Sequence, residues 1–73
     1  MTQLPYVRLA NDIAAQFHHL STEDAATGIA THMQMFWDPS MRGQLLAHVA
    51  AGGQDLDPLV LIAAERLRTH ASA

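Results

Sequence analysis

Histidine is the residue type in this 73-residue sequence with the widest range of chemistry, and five are present: His18, His19, His32, His48 and His70. A histidine set raises two chemistries, metal ligation and proton transfer near neutral pH. His18 and His19 are adjacent, so on a helix their side chains diverge by about 100° and cannot share a site. His32 and His48 fall at the edges of apolar arcs and are expected to approach each other across a corner. Two rings without a carboxylate at a defined spacing make a poor metal set, and no His-Glu-x-x-His arrangement occurs. The expectation for each ring is a hydrogen bond at the rim of the core, with a metal carrier built on His32 and His48 as the competing idea. Other chemistry is harder to place. There is no Cys nucleophile and no Lys for a Schiff base. The "AGGQ" run at Ala51–Gln54 closes a helix instead of opening one, which is the wrong end for binding an anion. A chain this short hardly encloses a substrate pocket of about 300 Å³ or more. The expectation is no catalytic, cofactor-binding or metal-binding residue, and no enzyme activity in this chain alone.

The remaining concentration of unusual residues is "HMQMFWDPSMRGQLLAHV", His32–Val49, which holds the only Trp and three of the four Met around one Asp-Pro step. The structural reading is a helix–turn–helix corner, with Phe36 and Trp37 filling the core where two helices cross. Several residues fall outside such a core. On a helical wheel Met35 lies with Thr27, Thr31 and Gln34 on the polar side, Leu61 and Ile62 lie outside the inward arc of the last helix, and Val7 lies at the edge of the first. One apolar outlier is ordinary, whereas several on one small chain point to a second buried surface. Arg42 lies inside an apolar stripe, one turn after Asp38. It either pairs with Asp38 at i,i+4, its stem over apolar neighbours, or serves an interface, where Arg, Met and Trp are enriched. The candidate partner-binding residues are therefore Met35, Trp37, Met41, Arg42, Leu61 and Ile62.

Composition sets further bounds. Lys is absent, four Arg face seven acidic residues, and the formal net charge is −3. Non-specific nucleic-acid affinity needs a basic face, so nucleic acid is excluded as a partner. Only 15% of residues are charged while 49% are hydrophobic, against a usual charged share of about 25%. Such a chain is expected to hide apolar surface in a complex. The absence of Cys removes disulfides, thiolate zinc sites and cysteine-bound iron–sulfur clusters. Arg8, Asn11 and Asp12 interrupt Met1–Leu20 before a signal-peptide core develops, and Ala25–Trp37 is too short and too polar to span a bilayer. The expected setting is soluble and cytoplasmic, with no membrane contact.

The elements that must position these residues are four short helices in an all-α bundle, expected to form one domain over residues 1–73. Pro5 opens a first helix to about Leu20, with Tyr6, Leu9, Ala10, Ile13, Phe17 and Leu20 at helical spacing. Ser21 or Thr22 caps a second, whose arc is Ala26, Ile29, Ala30, Met33, Phe36 and Trp37. Asp38-Pro39 ends that helix and starts a third, which runs to about Ala51 before Gly52-Gly53. Asp57-Pro58 opens the fourth, with Leu59, Val60, Ala63 and Leu67 inward and Arg66, Arg68 and His70 near its C-terminus, where cations suit the dipole. No stretch alternates with period two, so strands are not expected.

The sequence resembles the delta subunit of NAD-dependent, molybdenum-containing formate dehydrogenases. The matching residues are Ile29, Ala30 and His32; Phe36, Trp37, Asp38 and Pro39 with Met41 and Arg42; Leu45 and His48; Gly52-Gly53; and Leu56, Pro58 and Val60. The Val7–Ile13 run is similar to the family's first helix. Ser40 stands where the family often carries Arg. The resemblance implies an accessory chain that supports assembly or stability of the complex by docking on the large catalytic subunit. It also implies that the molybdenum (or tungsten) pterin, iron–sulfur clusters, FMN and NAD reside in partner subunits. The alternative is a transient chaperone for molybdenum cofactor insertion, which would be missing from the active enzyme. In isolation such a chain is expected to self-associate through its unused apolar surface, as a homo-oligomer.

Overall fold

A computed structural model describes residues 4–72, with side chains described for 4–69. Four helices follow one another: α1 (Pro5–Gln16), α2 (Thr22–Phe36), α3 (Pro39–Ala50) and α4 (Pro58–Ser72). Among the described residues there is no strand. The all-α architecture is thus the expected one, and its radius of gyration of 11.1 Å is that of a compact chain of this length, about 11 Å. The expected cation at His70 lies outside the described side chains.

Local chemistry starts and stops each helix. Pro5 takes the first position of α1, where its missing N–H has no helical partner to lose. Ser21 caps α2 by accepting from the Asp24 amide at 3.2 Å, with Glu23 and Asp24 at the positive end of the dipole. The Asp38 carboxylate accepts from the Met41 amide at 2.8 Å to cap α3. Asp57 caps α4 through the Leu59 amide at 2.9 Å. At the end of α3 the Gly53 amide reaches the His48 carbonyl at 2.9 Å and the Gly52 amide reaches that of Val49 at 3.1 Å. This bond pair requires a left-handed residue, here Gly52 with φ +127°.

The first helix departs from expectation. It ends at Gln16, four residues short of Leu20, because the Phe17 amide turns back to the Ala14 carbonyl in a tightened last turn. The Phe17 ring then lies over Gly28, where a Cβ would sit 2.5 Å from it. The buried face is Val7, Ala10, Ile13 and Ala14, rotated from the expected arc, so Leu9 is exposed and Val7 is fully buried, while Leu20, beyond the helix end, is exposed as well. Small residues explain the rotation. Ala10, Ala14, Ala25, Ala26, Ala63 and Ala64 are all essentially inaccessible, and alanine faces let short helices approach closely around Ile29, Met33, Leu45 and Val60. The second helix departs too. Trp37 is inside but non-helical, with ψ 141°, while Phe36 points outward instead of joining the core.

Tertiary hydrogen bonds fix the α3–α4 connection. The Asn11 amide group donates to the Asp55 carbonyl and accepts from the Asp57 N–H, each at 2.8 Å. Asp55 itself adopts φ +66°, a conformation that Asp tolerates better than most residues. His18 meets the Asp57 carboxylate at 2.7 Å, and Arg66 donates to the Thr27 hydroxyl at 2.7 Å. Both bonds join residues 39 apart in sequence.

Candidate partner-binding surface

The six residues singled out in the sequence divide into two groups. Met35, Trp37, Met41 and Arg42 surround the α2–α3 corner, whereas Leu61 and Ile62 occupy the first turn and a half of α4. The two groups therefore sit on different elements of the chain.

At the corner the exposed pair is Met35 and Phe36, 71% and 70% accessible. They are consecutive residues in the last turn of α2, and Phe36 stacks on His32 with centroids 4.8 Å apart. Trp37 follows directly and is only 8% accessible, its indole packed in the core with Met41 against that cluster. Phe36 is the exposed aromatic that sequence reasoning placed inside. A helical wheel puts it on the inward arc, but a wheel assumes that the helix continues. The Asp-Pro break ends α2 here, leaving Phe36 at the end of α2 with an exposed side chain.

Arg42 does not form the expected ion pair with Asp38. Its Nη1 donates to the backbone carbonyls of Met33 (3.3 Å), Gln34 (3.2 Å) and Trp37 (2.6 Å). Asp38 meanwhile spends its carboxylate on the α3 cap. Glu23–Arg66 and Glu65–Arg68 are ion pairs and His18 hydrogen-bonds Asp57, all away from the corner. The Glu65 carboxylate raises the pKa of Arg68, through a side-chain hydrogen bond first and charge second. That guanidinium is charged at any accessible pH in either case.

Leu61 and Ile62 are 36% and 38% accessible. Leu61 leans over Gly53, where an added Cβ would meet its side chain at 2.7 Å, so part of its surface covers the α3–α4 connection. Leu4, Leu9 and Leu20 are further exposed apolar side chains that the wheel had placed inside or left unremarked.

The histidines engage different partners. His48 donates or accepts at both ring nitrogens, toward the Gln54 carbonyl at 2.7 Å and the Tyr6 hydroxyl at 3.4 Å. A carbonyl only accepts, so Nε2 carries the proton and Nδ1 faces the Tyr6 hydroxyl. His32 is engaged with Phe36 instead, and His18 with Asp57. Among the described residues no group of three or more His, Asp or Glu could hold a metal ion, and no buried side-chain polar atom lacks a partner. No described helix is long and apolar enough to cross a membrane.

What this geometry offers is a small helical body with an apolar projection at one corner. Residues 6–64 match the family model for the NADH-dependent formate dehydrogenase delta subunit, FdsD. Comparison with curated proteins and with solved structures gave no match.

Proposed function

This chain belongs to the NADH-dependent formate dehydrogenase delta-subunit family, and from that premise we propose that it is a non-catalytic accessory subunit docking on the large molybdenum subunit. On this reading the whole chain acts as one helical domain. The molybdenum pterin, the iron–sulfur clusters, the FMN and the NAD site belong to partner subunits. The chain's own donor set suits none of the metal groups, since it has no Cys and its described His, Asp and Glu are dispersed. Its setting would be the cytoplasm.

One observation carries the docking role: Met35 and Phe36 stand out from the chain within and beside the Phe-Trp-Asp-Pro-x-Met-Arg motif, uncharged and about 70% accessible. Aromatic and Met side chains are the types enriched at interface centres. Of the residues first singled out, Met35 is the strongest anchor, Leu61 and Ile62 form a separate secondary contact, and Trp37, Met41 and Arg42 support the corner from within.

The test is capture. The tagged full chain, co-expressed with the other enzyme subunits, should retain the large subunit, and Met35→Glu with Phe36→Glu should abolish that retention. A second variant, Leu61→Glu with Ile62→Glu, should weaken it less. Retention undiminished in the first variant would exclude the corner as the docking site. Stoichiometry in the purified active enzyme distinguishes a permanent subunit from the chaperone alternative, because a chaperone would be absent there.

A further inference from the structure

We infer that Arg42 is a positioning residue that decides which of the neighbouring aromatics, Phe36 or Trp37, is presented to the outside. The geometry stands by itself; its consequence for complex formation rests on the docking reading above. A helix leaves its last four carbonyls without partners, and their summed dipole leaves the C-terminus negative. At the end of α2 the Trp37 amide serves the Met33 carbonyl at 3.0 Å. The carbonyls of Gln34 and Trp37 converge with it on one nitrogen of Arg42. The shortest of the three contacts, 2.6 Å, is to Trp37.

That contact fixes a peptide plane. Pro39 pushes Asp38 out of the helical region but leaves Trp37 free to follow α2 for one more residue. With the Trp37 carbonyl held by the guanidinium, its ψ is 141°, the chain turns, and the indole enters the core. Phe36, the last helical residue, is left outside against His32. The two Nη1 hydrogens that these three carbonyls share are fixed in the guanidinium plane, whereas the hydrogens of an ammonium rotate on a flexible stem. Arg42 is half-buried and faces inward, so its effect on a partner is exerted through the shape of the corner.

The experiment uses the full chain with Arg42→Gln and Arg42→Lys. It measures Trp37 fluorescence, amide exchange at Trp37, and capture of the co-expressed large subunit. For Arg42→Gln the expected result is a red-shifted Trp37 emission, exchange at the Trp37 amide faster by about tenfold or more, and reduced capture. Arg42→Lys should fall between it and the parent in all three. Emission and exchange identical to the parent in Arg42→Gln would overturn the inference, whatever the capture result. If Arg42→Gln does not fold, Arg42→Lys keeps the cation and tests the inference by the same readouts, with parent-like emission and exchange again overturning it. Emission and exchange need no partner, so they test Arg42 separately from the docking reading, which stands or falls on Met35 and Phe36.

Discussion

Asn11 ties the first helix to the α3–α4 connection, because one amide group closes two hydrogen bonds to it. Replacing it with Ala leaves the Asp55 carbonyl and the Asp57 amide without their partner, at about 1 kcal/mol for each bond. Asn11→Ala is therefore expected to lower stability by about 1–3 kcal/mol in urea denaturation. Asp12→Ala, at the exposed neighbouring position, should stay within about 0.5 kcal/mol. The contrast also marks what could be read from sequence at this scale. Ser21, Asp38 and Asp57 were legible as caps because a cap acts on amides two or three residues away. Asn11 was not, since its partners lie 44 and 46 residues further along and depend on how α1 packs. Arg42 was recognised as unusual, but its true acceptors are carbonyls on the preceding helix, which a pattern of charges cannot reveal.

Helix identity was legible and helix orientation was not. Prolines, the Ser and Asp caps and the double glycine are local signals, and they place all four helix starts and the end of α3 within a residue of where they fall. Which face is buried depends on the neighbours. Alanine-lined contacts rotate α1 so that Val7 is covered and Leu9 is not, a choice that wheel geometry leaves open. The two glycines of α3 and its exit make opposite predictions. Gly43 sits mid-helix and exposed with nothing within 4 Å of an added Cβ, so Ala there removes unfolded-chain freedom without a clash. Gly43→Ala should stabilise by about 0.5–1 kcal/mol. Gly52 has open space too, but its φ of +127° is one that a side chain rarely adopts. Gly52→Ala should destabilise by about 1–3 kcal/mol. Thermal melts of the two variants against the parent test both signs, and a common sign would mean that backbone conformation does not govern the α3 exit.

For the molecule as a whole, size is the governing constraint. A chain of 73 residues has a hydrophobic core that rarely supplies more than about 3–5 kcal/mol, and here much of that core is alanine, which contributes little area per residue. Anything that binds only the folded chain then adds a large fraction of its stability. A partner present at about 100 times its dissociation constant contributes about 2.7 kcal/mol, and for a domain this small each kcal/mol moves the melting temperature by about 4–8 °C. If the large subunit covers the α2–α3 corner, the chain should melt about 10–20 °C higher in the complex than alone. Hydrogen exchange or selective isotope labelling of the small chain would follow that change without interference from the larger one. Met35→Glu with Phe36→Glu should remove most of the gain while moving the free chain by about 0.5 kcal/mol or less per exposed site. A variant that lost stability equally, bound and free, would show that these side chains serve the fold. Loss confined to the bound form would assign them to the interface.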